Sequence, residues 1–587
     1  MPRNTSNSSI AALLYEAAEL LELADANTFR VRAYRKAAQI VEGLTGEAAA
    51  MAEKELLAVS GIGKGIAEHI AAIKINGTFP ELEEMRKKFP PGLPDILKVQ
   101  GIGAKRARLL YEKLGVDSLD KLRSAAQKGE LEGIAGLGAK VQANILAGVE
   151  RAAGAPERML YWEALTLAES LIKELTALGF ERVTYAGSLR RGQETVGDID
   201  LLAAGRPDGS VTEKFARLAQ AGKILAVGPT KASVLLKSGI QCDLRIVPPE
   251  IYGSALNYFT GSKEHNILLR ELALKKGLTL SEYGLCRLAD TEHKRPVASR
   301  TEEEIYSAMG LQYIPPELRQ GRDELELAAK DRLPELVTLA DIKGDAHNHT
   351  DISDGASSME EMLEAAQGMG FEWYFAGDHS KPLAIVHGLD LEAYRTSRKK
   401  LFALSKRFPG LKLGRSLEME ILKDGSLGFT DEEAKEVDFI AASVHSSMKL
   451  DREEMTARVL RAMAHPCLDA LAHPSGRLIG KREPMALDYP RLFEAAAEYG
   501  TAFEINGQPD RQDLTDVTAR MAREAGVKVL LSTDAHAAAQ LAYMRLAVIV
   551  ARRAGLTKKD ILNTLSYEDF KEWTAARRAK RSKALNS

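Results

Sequence analysis

Two aspartates one residue apart, Asp198 and Asp200 in Gly197-Asp-Ile-Asp-Leu-Leu202, open an apolar run that reads as a β-strand. Alternate side chains of a strand share a face, so both carboxylates point one way while Ile199 points to a core. Parallel carboxylates repel unless a cation lies between them. A third acid, Asp243 in Gln241-Cys-Asp-Leu-Arg245, alternates with apolar neighbours in a further strand and would complete a two-ion site for Mg²⁺ or Mn²⁺. Such a site suits phosphoryl or nucleotidyl transfer, one ion lowering the pKa of an attacking hydroxyl and the other holding a triphosphate. Just upstream, Gly187-Ser-Leu-Arg-Arg-Gly192 offers Ser188 and Arg191, with the Gly197 amide, as a phosphate cradle.

A second set of side chains points to different metal chemistry. Eight of the eleven histidines lie from His347 onward. Most of them sit, with acids, at the ends of strand-like stretches: His347 and His349, Asp378 with His379, Glu418, His445, His473, and Asp534 with His536. Imidazole and carboxylate donors without thiolate suit Zn²⁺, Mn²⁺ or Fe²⁺ in a multinuclear hydrolytic centre acting on phosphate esters. His465, in Ala464-His-Pro466, mimics His473 in Ala472-His-Pro474 but falls at a helix end, so it is left out; His387 reads as a surface residue. Arg415 and Arg477, close to ligand positions, suit either phosphate binding or ordinary salt bridges.

These side chains need elements to hold them. From Gly344 onward, strand-like stretches at 345–349, 373–378, 411–421, 439–445, 468–473, 501–506 and 527–534 alternate with amphipathic helical ones. That alternation predicts a (β/α) barrel, and barrel active sites lie at the C-terminal strand ends, where the ligands fall. Upstream, 165–178 reads as a helix and 183–186, 198–203, 233–236 and 241–247 as strands of an α/β or α+β domain. Residues 9–75 read as helices with short loops. A Gly-x-Gly turn recurs at Gly61/Gly63, Gly101/Gly103 and Gly136/Gly138, each leading into a helix, with Lys105 and Lys140 following the last two. Glycines and exposed helix N-termini suit nucleic-acid phosphates without reading sequence. Residues 315–338 read as a linker and 577–583 as a solvated basic tail.

Composition narrows the classes further. A chain of 587 residues, 45% hydrophobic and 28% charged, has material for several cores and is neither one compact domain nor disordered. The 80 basic and 82 acidic side chains nearly cancel, which argues against indiscriminate polyanion binding. Three widely spaced cysteines suggest neither a disulfide framework nor a thiolate zinc module and fit a reducing, cytoplasmic compartment. No stretch approaches the ~20 apolar residues of a membrane span.

The motif Gly187 to Leu202, the strand Gln241 to Val247, Tyr258-Phe-Thr-Gly-Ser-Lys-Glu-His-Asn266 with Arg270, and Val31-Arg-Ala-Tyr-Arg-Lys-Ala-Ala38 together resemble the family X DNA polymerases, typified by DNA polymerase beta. The resemblance implies that Asp198, Asp200 and Asp243 are catalytic metal ligands and that Ser188, Arg191 and Gly197 bind triphosphate. It also implies that Tyr258, Phe259 and Gly261 crowd the sugar, Asn266 contacts the incoming base and Arg270 the templating side. The Gly-rich turns resemble helix-hairpin-helix elements, with Gly61, Gly63, Gly101, Gly103, Lys105, Gly136 and Gly138 at the DNA backbone. The C-terminal region resembles a PHP (polymerase and histidinol phosphatase) domain. Its motifs Asp345-Ala-His-Asn-His349, Ser353-Asp-Gly355, Gly377-Asp-His379 and Leu417-Glu-Met-Glu420 imply His347, His349, Asp354, His379, Glu418 as a bridging, catalytic carboxylate, His445, His473, Asp534 and His536 as ligands for up to three Mn²⁺ or Zn²⁺ ions.

The order of these parts is similar to the bacterial and archaeal family X polymerases that carry a PHP domain. It implies a multidomain α/β and α+β chain: a helical 8-kDa-like domain at 1–88, a helix-hairpin-helix subdomain at 89–155, a polymerase-beta-like nucleotidyltransferase palm at 156–248 and a nucleotide-binding subdomain at 249–318. A linker at 319–340, a distorted (β/α)7 PHP barrel at 341–575 and a basic tail at 576–587 complete it. The implied function is a monomeric, gap-filling DNA polymerase of base excision repair that takes dNTPs and gapped or primer-template DNA. Its barrel is implied to supply 3′-5′ exonuclease, apurinic endonuclease and 3′-end cleaning. Two departures stand out. Gln241 takes an arginine's place, and His69 takes that of the lysine that forms a Schiff base in deoxyribose-phosphate lyases; imidazole forms no such imine. Two other readings stay open: a PHP nuclease on an inactive or weak polymerase-like scaffold, and a small-molecule phosphomonoesterase.

Overall fold

The computed structural model describes residues 7–42, 44, 48–59, 61–97, 99, 102–133, 145, 158–180, 182–205, 209–218, 220–290, 295–381 and 387–585. It divides into two compact units, Met1–Arg158 and Met159–Ser587. Among the described residues no helix is long and apolar enough to cross a membrane.

The first unit is helical. Helices Asn7–Leu23, Thr28–Glu42, Glu53–Ala58, Lys64–Asn76, Pro80–Lys88 and Ala104–Leu114 pack their apolar faces into one core. Between Glu53–Ala58 and Lys64–Asn76 the chain turns at Gly61, whose φ is +99°. That left-handed φ is what favours glycine; a Cβ there would also meet Ile40 Cδ1 at 2.3 Å. Gly63 and Gly103 are the N-caps of the following helices, with Ile62 and Ile102 buried beside them. Nothing stands within 4 Å of a Cβ added at Gly63 or Gly103, so the first turns of both helices face open space. Gly101 and the third turn, with Gly136, Gly138 and Lys140, lie outside the described residues.

The second unit begins with a five-stranded sheet in the order Val183–Tyr185, Asp198–Ala204, Gln241–Val247, Lys231–Leu236, Ala221–Val227. Asp198–Ala204 and Gln241–Val247 are parallel and the other pairs antiparallel. Strand alternation separates the two faces. Ile199, Leu201, Cys242 and Leu244 enter a core with Leu165, Ala168 and Leu171 of the helix Tyr161–Ala177. Leu202, on the face of Asp198 and Asp200, packs on Tyr252 and Ala255 of the helix Tyr252–Thr260. That helix opens a subdomain with its own core, built from Lys263–Lys275, the hairpin Leu278–Ser281/Gly284–Arg287 and Glu302–Ala308.

One buried acid ties this subdomain to the sheet. Glu302, 4% exposed, accepts hydrogen bonds from Arg190 and Arg319, both at 2.6 Å. Burial would raise its pKa, but the two guanidinium groups outweigh it and hold it at about 2. Its stabilisation is therefore full above an unfolded-state value near 4.5 and is lost as pH falls toward about 2. The expected outcome is a thermal midpoint for Glu302→Gln several degrees below wild type at neutral pH, a gap that closes progressively below about pH 4.5 in scanning calorimetry.

Residues 315–338, expected as a linker, hold the turn Pro316–Leu318 and the helix Glu324–Ala329 and are packed rather than loose. Their charges find partners: Asp323 pairs with Arg520, Glu317 with Arg552, and Arg319 is wholly buried. Seven parallel strands follow in sequential order: Gly344–Asp345, Trp373–Ala376, Lys412–Glu420, Phe439–Ser443, Ala470–Leu471, Ala502–Asn506 and Val529–Ser532. The ring closes beyond the first and last strands through the parallel bridge Asn348↔Ala535, where His349 N donates to Ala535 O and Asp534 N to His347 O. Small inward residues (Ala441, Ala470, Ala502) surround an aromatic plug of Trp373, Phe375, Phe439 and Phe570, in which Trp373 and Phe570 stack 4.5 Å apart.

Phe570 belongs to the C-terminal helix Tyr567–Leu585, which corrects the expectation of a solvated basic tail. Arg577 and Arg578 both bond the fully buried Asp469, and Arg577 and Arg581 are themselves buried. A buried carboxylate at the foot of the barrel requires such partners.

Two candidate metal centres

In the parallel pair, Asp200 stands opposite Asp243 and Asp198 opposite Gln241. Burial, and then the charges of Asp198 and Asp243, raise the Asp200 pKa to about 7. Burial acts on Asp243 in the same direction, but bonds from Lys231, Gln241 and Ser233 outweigh it and hold that carboxyl below the ordinary range. Lys231 Nζ lies 2.6 Å from Asp243 Oδ2, and Gln241 Nε2 donates to Oδ1 at 2.9 Å. Like charges crowded on one poorly solvated face are what a divalent ion relieves, so this donor set fits Mg²⁺ or Mn²⁺.

The proposed phosphate cradle abuts these acids. Gly187 has φ +60°, and a Cβ on it would lie 2.5 Å from Asp200 Oδ2. Ser188 is in the helical turn Gly187–Arg190 that follows, and Gly197 joins the short strand Thr195–Val196 to Asp198–Ala204. Arg191 donates to the Thr260 carbonyl, and burial pushes its guanidinium pKa down to about 10. Tyr258 and Phe259 meet edge to face with centroids 5.2 Å apart, and the Arg245 guanidinium lies 4.3 Å from the Phe259 ring centre. Gly261 adopts φ +68° beside Arg191. Asn266 Nδ2 donates to the Tyr258 carbonyl at 2.8 Å, and Arg270 Nε to the Asn266 carbonyl at 3.1 Å, one turn apart on a single helix face.

At the barrel mouth the candidate ligands form three overlapping groups: His349, Asp354, His379 and His536; His347, His349 and Asp534; His347, Glu418 and His473. Glu418 is their hub. Its oxygens lie 2.8 Å from His473 Nε2, 2.9 Å from His379 Nδ1, 3.3 Å from His445 Nε2 and 3.4 Å from His347 Nε2. His347 Nε2, His349 Nδ1 and Glu418 Oε2 are buried without hydrogen-bond partners, which fits ions as their partners. Neighbouring charge splits the imidazoles. Burial and then the His379 charge lower His349 to about 4, whereas Glu418 and Asp354 override burial and raise His379 to about 10. His473 and Asp534 hold left-handed backbone, φ +24° and +48°, a strain of order ~1–3 kcal/mol each that concentrates at functional sites.

Neither arginine considered for phosphate binding is available for it. Arg415 is fully buried and bonds Asp378 and the Ala376 carbonyl; Arg477 pairs with Glu194 of the palm. His465 bonds Asp431 outside the cluster, and His387 is exposed. In the first unit, His69 stacks on Phe79 with centroids 4.3 Å apart, and its Nε2 lies 2.7 Å from Tyr34 Oη, which also donates to Glu81.

Family models match three segments: a helix-hairpin-helix domain at 5–79, a SAM-like helix-hairpin-helix tandem at 93–150 and the DNA polymerase beta thumb at 255–320. The DNA polymerase/3′-5′ exonuclease PolX of Bacillus subtilis is 36% identical over 563 residues, covering 95% of this chain and 98% of that protein. The chain belongs to the PolX family. Proteins named as probable phosphatases are also similar. One from Thermoanaerobacter is 26% identical over 231 residues, 38% of this chain and 89% of the relative; one from Acetivibrio thermocellus is 24% identical over 238 residues, 39% and 93%.

In this PolX chain two acids escaped the sequence reading. Glu504 accepts from His347 Nδ1 at 2.5 Å, from the His473 amide, from Ser532 Oγ and from Asn506 Nδ2. Glu420 accepts from His445 Nδ1 at 2.8 Å. Each fixes an imidazole so that Nε2 is presented to the cluster. Glu420 was legible, since Glu418-Met-Glu420 alternates on one face; Phe503-Glu-Ile-Asn506 reads as an ordinary strand until His347 is placed beside it. Glu504→Gln is expected to weaken Mn²⁺ binding about 10–100-fold in titration calorimetry.

Proposed function

We propose that this chain is a DNA-directed DNA polymerase whose PHP barrel hydrolyses phosphodiesters of DNA as a 3′-5′ exonuclease, acting in the cytoplasm as a monomer. The observation that carries the reading is the register of the parallel strands, which sets Asp200 against Asp243 beside Asp198 on the face where Leu202 packs on Tyr252 and Ala255, with Phe259 against them. Two Mg²⁺ or Mn²⁺ ions held there would supply nucleophile activation and charge neutralisation at the phosphates. The residues do the rest. Ser188, Arg191 and the Gly197 amide hold the triphosphate, Tyr258 and Phe259 floor the sugar, and Asn266 and Arg270 flank the nascent pair. The primer 3′-oxygen forms a bond to the α-phosphorus as the α–β bridging bond breaks, and pyrophosphate leaves. The exposed helix N-termini at Gly63 and Gly103 suit the DNA backbone, giving no sequence preference.

In the barrel, His347, His349, Asp354, His379, Glu418, His445, His473, Asp534 and His536 would hold up to three Mn²⁺ or Zn²⁺ ions, which when bound would supply a water made nucleophilic at neutral pH. Exonuclease action on faulty 3′ ends complements gap filling, and apurinic endonuclease and 3′-end cleaning draw on the same chemistry. His69, closed into its network with Tyr34 and Glu81, has no imine route to deoxyribose-phosphate release.

A 5′-labelled, one-nucleotide-gapped duplex incubated with Mn²⁺ tests the proposal. Extension with dNTPs and shortening without them are expected. The relatives named as phosphatases favour one rival substrate, a small phosphate monoester. Faster turnover of such a monoester than of DNA would replace the nuclease assignment.

A further inference from the structure

We propose that Arg477, a residue of the PHP barrel, is a positioning residue for nucleotide addition in the palm. It acts through Glu194 on the loop that carries Ser188, Arg191 and Gly197; the inference rests on the reading of that loop as the triphosphate site.

The loop 187–197 is anchored at two ends by different structures. At its start, Gly187 lies against Asp200. At its far end it is held by the barrel. Arg477 Nη2 and Nη1 bond Glu194 Oε1 and Oε2 at 2.6 and 3.1 Å, a bidentate fork with side chains 14% and 25% exposed. Gly192 approaches Ile549 so closely that a Cβ would fall 2.3 Å from its Cγ2, and Arg553 donates to the Gly192 carbonyl at 3.3 Å.

The fork is built in advance. Arg477 Nε donates to the Arg511 carbonyl at 2.8 Å, and Nη2 also donates to the Gln512 carbonyl at 2.6 Å, so the guanidinium plane is fixed before Glu194 meets it. A half-buried, preorganised carboxylate–guanidinium pair is directional and stronger than a surface pair. From Glu194 the chain runs through the strand Thr195–Val196, paired with Met159–Leu160, to Gly197 and Asp198. The barrel thus fixes the spacing between the Gly197 amide and Ser188, the two loop groups assigned to the triphosphate. Freed from Arg477, the Glu194 carboxylate would turn to solvent and the segment from Glu194 to Gly197, beyond the anchors at Arg190, Arg191 and Gly192, would have to be ordered again each time a nucleotide bound.

Single-nucleotide insertion into a one-nucleotide gap, read as KM and kcat for the dNTP, tests this with the full-length chain. Glu194→Ala is expected to raise KM about tenfold with kcat within about twofold. Arg477→Lys, which keeps the charge and loses the fork, is expected to raise KM about threefold. The double variant Glu194→Ala/Arg477→Ala is expected to resemble Glu194→Ala alone, because both changes break one interaction. A merely structural contact would lower the active fraction, and so kcat, at unchanged KM; that result overturns the proposal, as do effects that multiply in the double variant. Ser188→Ala in the same assay separates the two levels. KM raised by Ser188→Ala but untouched by Glu194→Ala sinks the role of Arg477 alone, whereas KM untouched by both sinks the loop assignment with it.

Discussion

Asp200→Asn is expected to abolish nucleotide addition, by at least ~10³-fold, while the barrel continues to shorten DNA. The size follows from position. Asp200 is the central member of the carboxylate set, half-buried between Asp198 on its own strand and the buried Asp243 across the parallel pair, and the glycine turn at Gly187 lies against it. No other acid on that face replaces it, and asparagine keeps the volume while removing the charge that holds an ion. The same change should raise the thermal midpoint in chelator by a few degrees, since it removes one of three mutually repelling charges and leaves the strand packing of Ile199 and Leu201 intact. Primer extension and a melting curve check the pair of effects; a variant that still extended primers would contradict the palm assignment.

Glu418→Gln is expected to produce the mirror image, with loss of hydrolysis by at least ~10³-fold and primer extension retained. Glu418 lies within 3.5 Å of five imidazoles, from His347, His349, His379, His445 and His473. A neutral amide would deprive the three candidate ion positions of their shared charge and place an NH₂ among nitrogen donors. Ion content by plasma emission spectrometry should fall with activity. Loss of hydrolysis at unchanged ion content would assign Glu418 a role in the reaction alone, and unchanged hydrolysis would remove it from the site.

Much of this architecture was legible because the local patterns agree with the tertiary ones. Six of the seven barrel strands fall within their predicted stretches and the first overlaps its stretch only at Asp345, since buried parallel strands bounded by amphipathic helices carry a strong pattern, and HxH and DxH mark their ends. Ligand segments that leave the ladder, such as 346–349, shorten the first strand to Gly344–Asp345, a trimming that hydrophobicity does not show. The edge strand Ala221–Val227 was missed because its exposed Lys223 and register shifts break the alternation.

What escaped entirely are long-range polar pairs. Arg477 and Glu194 are 283 residues apart, and Arg577 and Asp469 are 108 apart. Each member taken alone reads as a solvated charge or a phosphate ligand. Only the packing of palm on barrel, and of the C-terminal helix under it, turns them into partners. Glu504 is the same lesson inside the site: one acid in an apolar strand acquires meaning when His347 arrives beside it.

One chain carries two separate divalent-ion centres, one for adding nucleotides and one for removing them. Crystals soaked in Mn²⁺ with a non-hydrolysable dNTP, measured at the manganese absorption edge, test it most directly. Anomalous peaks are expected at Asp198, Asp200 and Asp243, with a separate set bounded by His347, His349, His379, Glu418, His473 and Asp534. Peaks confined to one of the two places would contradict it.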